Sequence, residues 1–492
     1  MGTVPAVVIA APASGSGKTT LATGLIGALR RAGHRVAPFK VGPDYIDPGY
    51  HGLAAGRPGR NLDPVLVGAD RVVPLYHHGA AGCDLAVVEG VMGLFDGRID
   101  ERETGPVAEG STAQVAGLLG APVVLVVDAR GHSQSLAALL HGFATFDSGV
   151  RLGGVILNRV GSERHDQVLR AACARVGLPV LGSLPRMNAL EVPSRHLGLI
   201  PAVEHGAAAS AAVEAMTDLV AAHVDLAAVA ALARPTSGGS AWDPDSAIRE
   251  ALAGDAATRV GVDATGAPRR AVGSLAVEGP GGPVGPIIAM AGGPAFTFGY
   301  AEHRELLVAA GARVFVFDPL RDELPSDTSG LVLPGGFPEE HAADLAANTP
   351  LLAAVREHAR AGLPIHAECA GLLYLTRSLD GHAMAGVIDA DAEFGPRLTL
   401  GYRDAVALSD SALWLAGERV RGHEFHRTRL VTAAQDAPAW GWHDGSGARV
   451  REGALVGRVH ASYLHTHPAG NSAATARFVA AAEAYARVDA AH

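Results

Sequence analysis

Cysteine is scarce in this sequence. Cys83, Cys173 and Cys369 are the three in a chain of 492 residues, too few for a disulfide framework at that size. The thiols are therefore expected to stay reduced, as in a cytoplasmic protein. Aromatic residues make up only 5%, so the cores must rest on Ala, Val and Leu. Positive charge is also short. Lys and Arg number 40 against 50 Asp and Glu, a formal net charge of −10; this argues against nucleic acid as a main partner, because a phosphate backbone calls for a basic face. No apolar run approaches the roughly 18 residues that cross a bilayer. The first stretch, MGTVPAVVIAAPASGSGKTT, lacks the basic start and small-residue cleavage site of a secretory signal. No membrane partner is expected.

Glycine (62) and proline (30) are plentiful, and hydrophobic residues reach 48%. Such a length divides into two or more domains. Apolar runs at 6–10, 36–41, 85–89, 123–128, 154–158 and 180–184 alternate with amphipathic stretches, the pattern of βαβ units and a parallel sheet covered on both faces. The alternation fades after residue 220. The stretch 233–285, with PTSGGSAWDPD and GPGGPVGP, reads as a Gly/Pro/Ser-rich linker with one helix near 247–253. A second α/β unit follows, with strands at 287–291, 313–317, 331–333 and 364–368, a helix at 300–310 and a closing helix at 472–487. The expected domains are therefore 1–232 and 286–492, flanking the linker.

VVIAAPASGSGKTTLATGLIGALRRAG is a strand, a small-residue loop and a helix. Backbone N–H groups of such a loop and the positive end of the helix dipole cradle phosphate. Gly15, Gly17, Lys18, Thr19 and Thr20 form the expected nucleotide site, with Lys18 reaching the phosphates and the Thr19 hydroxyl available to Mg²⁺. The motif is a variant, because Pro12 stands where the standard pattern has its first Gly; a glycine-rich turn that merely opens a helix is the plainer alternative. FKVGPDYIDPGY adds Lys40, Asp44 and Asp47, and LAVVEGVMGLFDG adds Glu89 and Asp96. Carboxylates at the carboxyl ends of parallel strands face the ligand crevice and suit Mg²⁺, although any one of them alone reads better as a solvated loop charge.

LPIHAECAGLLYL sets Cys369 on a sharp turn between an apolar strand and an apolar helix, a nucleophile elbow. The helix N-terminus is expected to lower the thiol pKa. A buried structural cysteine is the bland alternative. VHASYLHTHPAG offers His460, His465 and His467 as bases; His465 is preferred and His467 is the alternative. Backbone N–H groups of Gly335, Gly336 and Ala370 are the expected oxyanion hole.

These residues carry a resemblance to the cobyrinate a,c-diamide synthase family, including its hydrogenobyrinate-using members. SGSGKTT, FKVGPDYIDPGYH, NLDP, EGVMGLFDG, GVILNRVGSERH, PSRHLGL, PGGFPE, HAECAGLLYL, TLGYR, GHEFHRT and ASYLHTHP occur in order across nearly the whole chain, the linker excepted. The N-terminal half is also similar to dethiobiotin synthetase. The resemblance implies a two-domain α/β protein: a parallel-sheet P-loop NTPase of dethiobiotin-synthetase type, followed by a class I glutamine amidotransferase domain of flavodoxin-like fold. It implies a carbon–nitrogen ligase of cobalamin biosynthesis that uses ATP, Mg²⁺ and glutamine to amidate the a and c acetates of a corrinoid, cobyrinic or hydrogenobyrinic acid, through acyl phosphates.

By position, the resemblance makes Lys18 and Lys40 phosphate-binding lysines. Thr19, Asp47 and Glu89 become metal ligands, Asp44, Tyr45 and Asp96 substrate-handling residues, and Asn158 the adenine reader. Cys369 and His465 are the nucleophile and its base. A homodimer is an expectation of the same kind. The chain departs from the family pattern in AGGPAFTFGY, where an acid is common, in a longer linker, and in having no Glu two positions after His465. Other amide synthetases of this architecture (cobyric acid synthase or a sirohydrochlorin-type a,c-diamide synthase), a P-loop ATPase switch with an inactive second domain, and a carrier without turnover are the competing readings.

Overall fold

The computed structural model describes residues 3–99, 105–147, 149–186, 194–195, 198–199, 201–236, 238–259, 285–431 and 437–489. Pro193, His196 and Leu197 of PSRHLGL and residues 260–284 of the expected linker lie outside them. The chain divides into two compact units, Met1–Trp242 and Asp243–His492.

The first unit is built on one twisted sheet. Its strands are β1 (Pro5–Ala10), β2 (Val36–Val41), β3 (Arg60–Leu62), β4 (Leu85–Glu89), β5 (Val123–Asp128), β6 (Leu152–Val160) and β7 (Val180–Pro185), in the order β3-β2-β4-β1-β5-β6-β7. All are parallel, and the short Arg234–Pro235 runs antiparallel beside β1. Residues 6–10 of β1 are wholly buried, because helices cover both faces of a parallel sheet. Helix α1 (Lys18–Arg31) follows β1, and α2 (Asp47–Ala55) follows β2. The chain leaves β1 toward β2 on one side, while β5 lies on the other. The carboxyl end of β1 is thus the switch point where such sheets bind ligands.

In the second unit, α3 (Pro244–Arg259) falls within the stretch read as linker. It is tied to the closing helix Ser472–Asp489 by Arg477 Nε, 2.6 Å from Asp255 Oδ2. The expected strands are present as β8 (Ile287–Ala291), β9 (Arg313–Phe317), β10 (Thr328–Leu333) and β11 (Ile365–Glu368). They run parallel in the order β9-β8-β10-β11, extended by β14 (Val459–Ser462) and an antiparallel edge, Ala454–Val456. A second, largely antiparallel sheet had no counterpart in the apolar-run reading. Its centre is the long pair β12 (Asp391–Ala407) and β13 (Arg419–Leu430), and β13 also pairs with β15 (His465–Thr466). The sequence DAEFGPRLTLGYRDAVA is too polar and too interrupted by Gly and Pro to stand out as a strand. It is held by β13 along most of its length.

Two candidate active sites

The first site forms where β1, β2 and β4 end. The loop after β1 turns through Gly15 (φ 77°) and Gly17 (φ 93°), a backbone that side chains other than glycine rarely adopt. A Cβ on Gly17 would also lie 2.3 Å from Asn158 Nδ2. Asn158, near the end of β6, donates that amide to Ser16 O at 2.9 Å, so it braces the phosphate loop from below. Lys18 and the half-buried Thr19 and Thr20 form the first turn of α1. Lys18 Nζ donates to Met92 O at 2.6 Å, which pins the EGVMGLFDG loop over the phosphate loop. Burial, and then the nearby Lys40, lower its pKa to about 8.

Lys40 is the hub of this site. Its ammonium lies 2.6 Å from Asp47 Oδ2 and 2.9 Å from Glu89 Oε1, with Asp44 Oδ2 at 3.9 Å. The Thr19 hydroxyl donates to the same two oxygens at 3.1 and 2.8 Å. Burial alone would lower the Lys40 pKa, but Asp47 and Glu89 outweigh it and hold the group firmly charged. Burial and the neighbouring Asp44 push Asp47 upward, whereas Lys40 and His51 overcome burial and hold Glu89 down. Asp44 accepts from the N–H groups of Ile46 and Asp47, both at 2.9 Å, and so fixes the start of α2. Tyr45 is half-buried in the same turn. Asp96 is exposed and accepts from Gly93 N at 2.9 Å.

Among the described residues, no group of three or more His, Cys, Asp and Glu is set to hold a metal alone. A hydroxyl and two carboxylates are what Mg²⁺ uses when phosphate oxygens and water complete its shell. The convergence of Thr19, Asp47 and Glu89 fits that donor set. The residue missed from sequence is His51. It is wholly buried one turn after Asp47, with Nε2 2.7 Å from Glu89 Oε2; its i,i+4 spacing in DPGYH was the available signal.

The second site lies at the carboxyl ends of β10 and β11. Cys369 stands between β11 and the helix Ala370–Leu375 with φ 50°, ψ −98°, the strained backbone of an elbow. The backbone N–H groups of Gly336 and Ala370 act on its sulfur in favour of the thiolate, and Sγ lies 4.0 Å from Phe425 O. Gly335 also leaves room for the base: a Cβ there would fall 2.3 Å from His465 Cε1. The glycine pair therefore carries the thiol at one member and the imidazole at the other.

Against expectation, the helix N-terminus does not lower the Cys369 pKa. The Cys369 side chain is 2% exposed, and burial, followed by Glu339, pushes its pKa up; the two N–H groups oppose this without reversing it. A short helix end cannot offset removal from water. The free protein thus holds a thiol, and its proton must be taken by a base.

His465 and His467 are both wholly buried. His467 Nδ1 accepts from Ala469 N at 3.2 Å, and its ring lies 4.1 Å from Tyr300, so it is committed to the turn that follows β15. His460 lies on β14, 5.3 Å from the Trp440 ring. His465 is the histidine set against Gly335. Burial holds its pKa at about 4, with Glu368 the main opposing influence. Glu368, immediately before Cys369, is the residue sequence reasoning passed over here.

Comparison with known proteins agrees with this division. Residues 7–200 match the CobQ/CobB/MinD/ParA nucleotide binding domain, and residues 287–473 the CobB/CobQ-like glutamine amidotransferase domain. The hydrogenobyrinate a,c-diamide synthase of Mycobacterium tuberculosis H37Rv is 58% identical over 477 residues, 97% of this chain and 98% of that one. The enzyme of that name from Streptomyces coelicolor is 56% identical, with 97% of each chain covered. The cobyrinate a,c-diamide synthase of Gloeobacter violaceus is 40% identical, with 96% of each covered. A solved structure, the septum site-determining protein MinD of Pyrococcus horikoshii, matches 43% of this chain and 94% of its own at 19% identity and a TM-score of 0.27, too weak a likeness to carry an argument. With such identity along nearly the whole of both chains, this protein belongs to the family of hydrogenobyrinate and cobyrinate a,c-diamide synthases.

Proposed function

We propose that this protein uses ATP and glutamine to amidate the a and c acetate carboxylates of hydrogenobyrinic acid, or of its cobalt form cobyrinic acid, in cobalamin biosynthesis. The reading rests on one observation: a phosphate loop backed by a lysine–carboxylate cluster and a cysteine elbow that shares a glycine pair with a buried histidine occur in one chain. The relatives at 50–58% identity are all named for hydrogenobyrinate, which favours the metal-free ring. The synthetase domain is 1–232 and the glutaminase domain 286–492, and the enzyme works as a cytoplasmic homodimer.

A carboxylate accepts nitrogen poorly because oxide is a poor leaving group. Phosphorylation by ATP turns that oxygen into phosphate, which leaves readily. The work of the protein is positioning and charge neutralisation. Gly15, Gly17 and Thr20 shape the cradle, Lys18 and Lys40 meet the phosphates, and Asn158 reads the adenine. Thr19, Asp47 and Glu89 would hold Mg²⁺, which when bound would add positive charge at the transferred group. Asp44, Tyr45 and Asp96 handle the corrinoid carboxylate.

In the second domain the Cys369 thiol attacks the glutamine amide as its proton passes to His465. Gly336 and Ala370, with Gly335, stabilise the oxyanion. The C–N bond breaks as His465 returns that proton to nitrogen, which gives NH₃ and a thioester. Water then releases glutamate and restores the thiol. Ammonia produced in this way escapes the protonation that makes free ammonium a poor nucleophile at neutral pH.

The test is incubation with ATP, Mg²⁺, glutamine and each acid in turn, followed by mass spectrometry. Two successive acid-to-amide conversions are expected. An unchanged mass with both acids would falsify the reading.

A further inference from the structure

We propose that Glu368 is the positioning residue of the glutaminase site: it orients His465 and stabilises the imidazolium that forms when Cys369 gives up its proton. The assignment rests on the glutaminase reading above. The chain after His465 supplies no acid for this purpose, because position 467 is itself a histidine. The structure offers one from the opposite direction, the residue just before the nucleophile.

Three features of Glu368 suit the role. First, its carboxylate is held in place. Oε1 accepts from Thr466 N at 3.0 Å and from Thr466 Oγ1 at 2.9 Å, with His366 Nε2 at 3.3 Å. Second, this leaves Oε2 as the oxygen toward the base, 3.8 Å from His465 Nδ1. With Nδ1 addressed in this way, Nε2 is the nitrogen for the thiol proton. Third, the anchor is the residue directly after His465, and Glu368 pairs in register with Ser462 on β14. Base, acid and nucleophile therefore move as one unit. Burial would raise the Glu368 pKa, but His366 and then His465 and Thr466 outweigh it and keep the group charged.

The other ionisable groups facing His465 come from β13 and fit less well. Glu424 is engaged by Arg403 Nε at 2.6 Å and lies 3.5 Å from His426 Nε2. His423 and His426 can add only positive charge, and burial holds His423 low, at about 3. The proton donor is Cys369 itself. Glu368 stays ionised throughout, and the proton travels only between sulfur, His465 and the leaving nitrogen.

The test compares Glu368→Gln and Glu368→Asp in the full-length protein. Glutamine still accepts from Thr466, so Glu368→Gln should melt with the parent, yet its kcat for glutamine hydrolysis should fall about 100-fold, within the range for losing general-base assistance, while KM stays within threefold. The acidic limb of kcat should move to lower pH, because the lost negative charge had raised the His465 pKa. Glu368→Asp, which restores the charge on a shorter arm, should recover part of the loss. A Glu368→Gln enzyme with near-parental kcat, or an Asp variant no better than the Gln variant, would overturn the assignment and leave Glu368 a structural anchor for Thr466. Absence of any ammonia release by the unsubstituted protein would instead sink the glutaminase reading.

Discussion

Both units solve the placement of reactive groups in the same way, at the carboxyl ends of parallel strands, yet they handle charge in opposite ways. In the first unit, the positive charge of Lys40 sits between Asp47 and Glu89. In the second, Cys369 and His465 are both buried and both held near neutrality, one with its pKa raised and the other with its pKa lowered. Phosphoryl transfer must receive a polyanion, so its site keeps cations and anions already paired and ready to exchange partners. Thiol attack needs a charge only in passing, so its site withholds charge until the proton moves, with Glu368 as the fixed anion beside the base. The same placement at the carboxyl ends of parallel strands thus hosts a site whose charges are already paired and one that ionises in passing, and the difference lies in the side chains at those ends.

The comparison breaks first at Cys369. Cys369→Ser should lower glutamine-dependent amidation by at least about 1000-fold, since a hydroxyl is far harder to deprotonate than a thiol. Amidation driven by high ammonium should be retained, because the charged site is untouched. Loss of both activities would mean that the two sites do not divide the reaction. Next in size is Lys40→Met, which strands two buried carboxylates. Removing one partner from such a cluster costs about 3–5 kcal/mol, to be read as a shift of the denaturant midpoint. Amidation from either nitrogen source should disappear while glutaminase turnover persists in the folded fraction. A stability unchanged by Lys40→Met would refute the paired-charge description. Third is Gly335→Ala. The added carbon, 2.3 Å from His465 Cε1 and 3.1 Å from Phe298 Cβ, must displace the imidazole. A displacement of that order costs roughly 100-fold, and the expected loss is confined to glutamine-dependent turnover.

Legibility in the sequence also differed between the two sites. The phosphate loop announced itself because strand, small-residue loop and helix are contiguous, and the positions of Asp47 and Glu89 followed from their place after apolar runs. The Cys369 elbow was readable for the same reason. What escaped depends on contacts across the chain. Lys40 was read as a phosphate ligand, and its pairing with Glu89 appears only because β2 and β4 lie side by side in register. Glu368 comes near His465 through its bonds to Thr466, 98 residues away in sequence. The thiol pKa was misjudged because a helix end is visible in sequence and burial is not. The β12–β13 pair was missed because its polar alternation is stabilised by the partner strand rather than by local propensity.

The smallest of the expected effects concerns Asn158, where the two sites meet the same question of how backbone is held. In the thiol site, strands grip the elbow directly: Cys369 N donates to Ser462 O at 2.7 Å. The phosphate loop depends on a side chain instead, the Asn158 amide on Ser16 O at 2.9 Å. Asn158→Ala removes that brace from a half-buried carbonyl, a loss of about 1 kcal/mol in loop order. If Asn158 also reads the adenine, a second bond is lost with it, and KM for ATP should rise about tenfold, in line with one to two net hydrogen bonds. Glutaminase turnover measured without ATP should not change. Asn158→Asp removes both roles at once. The carboxylate cannot donate to Ser16 O, so brace and base contact fail together, whereas Asn158→Gln keeps the donor on a longer arm. A KM for ATP that is unchanged in all three variants would show that the loop holds its shape through Gly15 and Gly17 alone.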